Sequence, residues 1–227
     1  MNGESKPTPS VPLSIRGQTV ELLGGRGVYW RDADTLFIAD VHLGKAQTLQ
    51  FLGAPVPATA ILRSQLAELS TLIDSCGAHR VIVLGDLLHA PAGLTDDLVS
   101  TVGDWIKKSS AAWELVPGNH DRRIDTVAPQ WNLTIRDEVV DEGPFRFVHH
   151  ALEQNATQFT WSGHLHPAVT LGSRADRIRL PCFRVSPDRC ILPAFSRFTA
   201  GASFEPEKGE RLFAIAEGQV LPVCQHI

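Results

Sequence analysis

Five short polar motifs along this chain carry side chains suited to binding divalent cations and moving protons. They are Asp40-Val41-His42, Gly85-Asp86, Gly118-Asn119-His120-Asp121, His149-His150, and Gly163-His164-Leu165-His166. Carboxylate oxygens, imidazole nitrogens and an amide oxygen are the donors that borderline divalent metals accept. A carboxylate such as Asp86 can bridge two ions, because each of its oxygens serves one. Asp-x-His alone is a weak signal. Gly-Asn-His-Asp is more specific, since an amide oxygen is an uncommon neutral ligand and the adjacent His120 stays free to transfer a proton. His164-x-His166 offers one imidazole to each ion of a pair.

A lone Asp or His in such a loop is usually a cap or a solvated side chain. Five in this order are not explained that way. The chemistry they suggest is phosphate-ester hydrolysis at a binuclear centre, where two ions ~3.5–4 Å apart activate a bridging water for attack on phosphorus. His120 would assist the leaving group, and Asp121 would orient His120. Mixed nitrogen and oxygen donors suit Mn²⁺, or Fe²⁺, better than a closed tetrahedral Zn²⁺ site, although Zn²⁺ remains open.

The elements that position these groups follow from the apolar pattern. Residues 36–39 lead into Asp40, 81–84 into Gly85-Asp86, 115–116 into Gly118-Asn119, and 145–148 into His149. Each reads as a strand, and a polar group at a strand end sits at the sheet edge, where open α/β sheets bind ligands. Apolar residues at helical spacing predict a helix over 58–75, stopped by Cys76-Gly77. Residues 80–84 read as a buried parallel strand, and 95–107 as a helix with Thr95 as its N-cap. The Gly24-Gly25-Arg26-Gly27 cluster lacks the Lys-Ser/Thr ending of a phosphate loop and reads as a hairpin turn. Beyond Asn132 the pattern changes to short strands. A mixed α/β domain over 15–227, preceded by a polar, disordered leader over 1–14, accounts for the whole.

The bulk numbers are those of an ordinary globular protein, 43% apolar and 20% charged with a formal charge of −4. No global basic field exists, so nucleic acid would have to be gripped locally. Arg122 and Arg123 follow the Gly-Asn-His-Asp motif and are candidates for substrate contact. Arginines 174, 177, 179, 184, 189 and 197 form either a phosphate-contacting rim or an ordinary alternating strand face. Phe183, Phe195 and Phe198 read as core. Cys76, Cys182, Cys190 and Cys224 contain no CxxC pair and read as reduced thiols. With neither an apolar signal core nor a spanning run, a cytoplasmic protein is expected.

The motif set resembles that of the calcineurin-like metallophosphoesterase superfamily, D-x-H, GD, GNHD, H and GHxH, over residues 40–166. The resemblance implies a four-layer β-sandwich flanked by helices. It also implies two divalent ions, one held by Asp40, His42, Asp86 and His166. The other falls to Asp86, Asn119, His149 and His164, with His149 preferred to His150 because it stands directly at the strand end. A closer likeness involves Asp40-Val41-His42-Leu43-Gly44-Lys45, Gly85-Asp86-Leu87-Leu88-His89-Ala90, Gly163-His164-Leu165-His166-Pro167, Leu180-Pro181-Cys182-Phe183 and Leu192-Pro193-Ala194-Phe195. These segments resemble bacterial metallophosphoesterases that travel with DNA ligase, helicase and exonuclease genes and are described as DNA-damage-response endonucleases. The likeness implies single-stranded, nicked or damaged DNA as substrate. Alternatives are a small-molecule or cyclic-nucleotide phosphodiesterase, a protein phosphatase, and a non-catalytic scaffold on the same fold. The scaffold is disfavoured because every ligand position is filled.

Overall fold

The alternation of apolar side chains at the centre of the chain sets the architecture. In the strand Thr35–Ile38, Leu36 and Ile38 face one core and Phe37 the other; in Arg80–Leu84, Val81 and Val83 oppose Ile82 and Leu84. A strand apolar on both faces must be covered on both. Helices cover one face here and a second sheet covers the other. The computed structural model of the chain describes residues 10–150, 157–172 and 176–223.

The chain starts with β1 (Ser10–Ile15), β2 (Gln18–Leu23), β3 (Gly27–Trp30) and β4 (Thr35–Ile38), an antiparallel meander. Helices α1 (Lys45–Phe51) and α2 (Ala58–Cys76) lead to β5 (Arg80–Leu84). Then come α3 (Asp96–Lys108), β6 (Ala112–Val116), α4 (Ile124–Trp131) and β7 (Leu133–Ile135). Strands β4 to β7 run parallel, and the first sheet has seven strands in sequence order.

The second sheet uses β8 (Val139–Glu142), β9 (Phe145–Val148), β10 (Phe159–Ser162), β11 (Ala168–Leu171), β12 (Ile178–Val185), β13 (Arg189–Ile191), β14 (Arg211–Ala216) and β15 (Gln219–Val223). Its order is β15-β14-β12-β13-β10-β9-β8, with β11 paired to β12. Strand β10 runs parallel to both β9 and β13. Between the sheets Trp30, Phe37, Phe145, Phe147, Phe159 and Trp161 meet in edge-on and tilted pairs at 4.8–6.4 Å between ring centres. This is the expected mixed α/β sandwich, with the buried faces of α2, α3 and α4 packed in the core on the outer face of the first sheet.

Helix α2 ends on Gly77, whose N–H donates to the Ile73 carbonyl and whose φ of 68° turns the chain out of the helix. Helix α3 begins at Thr95, whose hydroxyl accepts from the Leu98 N–H. Gly24–Gly27 is the β2–β3 turn, closed by the Arg26 N–H on the Leu23 carbonyl. One expectation is corrected. Residues 10–14, assigned to the leader, belong to β1 and pair with β2, because alternating Val11, Leu13 and Ile15 offer one apolar face to the inter-sheet core. Residues 1–9 lie outside the described residues, as do Arg174, Cys224 and His226. Cys76, Cys182 and Cys190 are free thiols.

Candidate metal centre

The five motifs converge at one edge of the sandwich. Asp40 follows β4, Asp86 follows β5, and Asn119 and His120 follow β6 in the first sheet; His149 follows β9 and His164 follows β10 in the second. The Asp40 and Asp86 loops run side by side. The N–H groups of Asp40, His42 and Leu43 donate to the carbonyls of Gly85, Asp86 and Leu87, and His89 N–H returns to Leu43. Asp40, His42, Asp86, His164 and His166 all have left-handed backbones, with φ between 45° and 70°. Five non-glycine residues in that region at one site store conformational strain, which the surrounding hydrogen bonds hold in place.

Glycines at the motif heads leave room for groups from other loops. A Cβ on Gly85 would stand 2.1 Å from His149 Nδ1, and one on Gly118 would stand 2.3 Å from Asp86 Oδ1. The glycines thus let side chains from sequence-distant strands close on one another.

Two donor clusters combine a carboxylate with imidazoles, Asp40-His42-His166 and Asp86-His149-His164, and a third group, His42-His89-His120, is of imidazoles alone. In the second, His149 Nδ1 lies 3.0 Å from the Leu84 carbonyl. A carbonyl only accepts, so Nδ1 carries the proton and Nε2 is the acceptor. That Nε2 faces Asn119 Oδ1 at 3.1 Å, His164 Nδ1 at 3.1 Å and Asp86 Oδ1 at 3.4 Å. His164 Nδ1 can donate to it in one tautomer, but the Asn119 and Asp86 oxygens turn lone pairs toward it, an arrangement that a cation at this point would relieve. Burial alone would lower the His149 pKa, but the Asp86 carboxylate and Leu84 carbonyl outweigh it and raise the value. Positive charge is thus favoured at this point, and a metal ion would supply it. In the first cluster His166 Nε2 lies 3.1 Å from Asp40 Oδ1 and 3.5 Å from His42 Nε2. Burial pulls His42 down to about 3, so it is a neutral imidazole near neutral pH and ready to ligate. The donors fit two divalent ions.

His149, not His150, faces the cluster. His149 is buried, while His150 is exposed and lies against the His164 ring at 4.3 Å. Asn119 is exposed yet brings its amide oxygen into the cluster. His120 stands beside His42 and His89, and its Nδ1 donates to the His89 carbonyl at 2.7 Å. That bond fixes the ring and leaves Nε2 as the nitrogen that can exchange a proton.

Asp121 requires a correction. It makes no hydrogen bond to the His120 ring; its carboxylate accepts from the N–H groups of Asp86 (2.8 Å), Gly118 (2.8 Å) and Leu88 (2.9 Å). Asp121 ties the Gly-Asp loop to the Gly-Asn-His-Asp loop, and the His89 carbonyl does the orienting. Burial pushes the Asp121 carboxyl up to about 6 against the pull of those N–H donors. Sequence reasoning also missed Gln65 of α2, whose amide donates to the Val41 carbonyl and secures the Asp40–His42 loop. No local motif marks such a long-range tether.

The arginines divide. Arg184 is buried in a two-pronged pair with Glu210, at 2.8 and 3.1 Å, and Arg189 pairs with Glu207. These are structural and do not belong to a rim. Arg177 and Arg179 are exposed, and Arg197 pairs with Glu68 through Nε. Arg122 is exposed, while Arg123 lines a cavity of about 430 Å³ between α3 and α4 together with Asp96 and Asp104. Phe183 and Phe195 are core, but Phe198 is 46% exposed, because the loop after Phe195 turns outward.

Residues 34–168 match the family model for the calcineurin-like phosphoesterase. The chain belongs to that family. This phosphoesterase is also similar to a solved structure, described as the crystal structure of Pseudomonas putida nuclease MPE. The two are 32% identical, with a TM-score of 0.81, over 94% of this chain and 100% of that one. No curated protein matches it. As a calcineurin-like phosphoesterase, the chain is a metal-dependent hydrolase of phosphate esters. Among the described residues no helix is long and apolar enough to cross a membrane.

Proposed function

We propose that this phosphoesterase is a nuclease that hydrolyses phosphodiester bonds in DNA, in the setting of DNA repair. The convergence of two acceptor clusters from both sheets on one open edge carries the reading, and the likeness to a nuclease along essentially the whole chain supports it. Asp40, His42, Asp86 and His166 would hold one ion, and Asp86, Asn119, His149 and His164 the other. Two such ions, Mn²⁺ by the donor chemistry, would supply the charge that neutralises a phosphodiester and lowers the pKa of a bound water. Asp86 N–H is held by Asp121, and Asp86 Oδ1 in turn accepts from His120 N–H at 2.9 Å. The proton-transfer residue and the shared carboxylate therefore keep a fixed spacing. His120 Nε2 would deliver the proton to the leaving oxygen. Arg122 and Arg123 remain proposed contacts to the substrate backbone. A cytoplasmic location and a working link to a ligase, helicase and exonuclease belong to the same proposal.

The test is manganese-dependent cleavage of single-stranded and nicked-circle DNA. His120→Ala should lower kcat by ~10²–10⁴-fold at unchanged metal content. Intact DNA from a sample that still splits a small diester would replace the nuclease reading with a small-molecule phosphodiesterase.

A further inference from the structure

A pocket of about 210 Å³ opens against His166, lined by Arg26, Arg179, Arg197, Pro181, Thr199 and neighbouring small residues. Three guanidiniums and an imidazole line it, and among the described residues no carboxylate does. Elsewhere in the molecule Arg31, Arg80, Arg136, Arg146, Arg184 and Arg189 each sit in an ion pair with Glu or Asp. In the pocket only Arg197 has such a partner, and Glu68 takes just its Nε at 2.9 Å. Arg26 donates through Nη1 to the carbonyls of Ala194, Phe195 and Ser196 at 3.2–3.3 Å. Arg179 donates through Nη2 to the Gly201 carbonyl. Neutral carbonyls hold these groups in place without cancelling their charge. Burial, then the neighbouring Arg197 cation, lowers the Arg26 pKa, and the Glu68 carboxylate offsets this only in part.

The pocket is also tied to the metal centre. The loop gripped by Arg26 sends Phe195 N–H to the Ala39 carbonyl (2.8 Å) and Ser196 N–H to the Asp40 carbonyl (3.1 Å). The Ala202 N–H donates to the His166 carbonyl at 2.8 Å. The pocket volume falls below the ~300–1,000 Å³ usual for a whole small-molecule ligand. It suits one charged group of a larger substrate.

We propose that Arg26, Arg179 and Arg197 form the subsite for a second phosphate of a nucleic-acid strand, next to the phosphate that is hydrolysed. This rests on the nuclease reading and adds the substrate feature recognised. Planar guanidinium forks with unspent N–H donors match phosphate oxygens, and a preset cluster of them fixes the register of the strand. The second phosphate is either internucleotide or a terminal monoester, and the two have the same recognition chemistry.

The experiment compares three substrates with the manganese-loaded enzyme: a thymidine dinucleotide, the same dinucleotide with a 5′-phosphate, and the trinucleotide. Wild type should show kcat/KM on the order of tenfold higher for a two-phosphate substrate than for the one-phosphate substrate. Which one gains distinguishes a terminal from an internal phosphate. In R179Q/R197Q that preference should collapse toward unity, and R179K/R197K should recover part of it. Both residues are exposed, so the variants retain the fold; Arg26 is left intact because it holds the loop. A wild type with no preference, or a double variant that keeps it, overturns the subsite. A second arm measures binding of labelled oligothymidylate to the metal-free protein against salt. The double variant should flatten the slope of log K on log salt by about 0.7 for each phosphate that is no longer neutralised. Failure of the wild type to cleave any DNA, with the slope still flattened, would sink the nuclease reading and leave the anion subsite standing; equal slopes would sink the subsite.

Discussion

At the residue scale, the site separates atoms that would bind metal from atoms that hold those atoms still. Asp121 belongs to the second group. Asp121→Asn places an amide donor where three N–H groups already point, leaving at least one buried donor unpaired at a cost of ~1–3 kcal/mol. For a chain of this size that corresponds to a fall in Tm of roughly 2–12 °C. A thermal melt checks it, and manganese titration should show weaker binding as the two loops part. Gly85→Ala is more specific still. The new methyl would drive His149 from its place, so metal content should fall sharply while far-ultraviolet circular dichroism keeps its shape. The candidate ligands were legible in the sequence because each motif couples a donor type to a strand end. The work of Asp121, Gln65 and the His89 carbonyl was not legible. Their partners come from other loops, and no local pattern announces a bond across a long stretch of chain. The sequence also ranked Phe198 with the core on residue type alone, which ignores the direction in which a loop turns.

At the scale of the element, strong periodicity was readable and short pieces were not. α2 and α3 appear nearly residue for residue, since each carries several turns of apolar spacing and an identifiable end signal. α1, with seven residues, and α4, with eight and an internal Pro129, are too brief for a period to stand out. β1 was hidden by its Pro- and Ser-rich surroundings, although its pairing with β2 runs the full length of both strands. Thr95→Ala should cost α3 about 1 kcal/mol in a denaturant melt. The Arg184–Glu210 pair, which links β12 to the segment before β14, is buried on both sides. Glu210→Ala leaves Arg184 only the more exposed Glu207 carboxylate at 3.7 Å and should cost about 3 kcal/mol by the same method, the low end for a broken buried pair. Its effect on metal affinity should be slight, because neither residue belongs to either donor cluster.

At the scale of the whole molecule, the first sheet contributes Asp40, His42, Asp86 and Asn119 to the centre, and the second contributes His149, His164 and His166. Divalent metal at a hundred times its Kd should stabilise the protein by ~2.7 kcal/mol, since unfolded chain offers no assembled site. That predicts a rise in Tm of about 5–10 °C on adding manganese to chelator-treated protein. The consequence reaches past catalysis. Ions held from both sheets would be stitches across the open seam of a two-leaved book whose inner pages are the aromatic residues around Phe37 and Trp161. With the stitches removed, the seam would part first at the edge where five strained backbones are waiting to relax. A protease offered the chelated protein should cut there, around 85–90 and 163–166, well before it attacks the metal-loaded form. Metal supply would then govern how long each copy of the enzyme lasts as well as how fast it turns over.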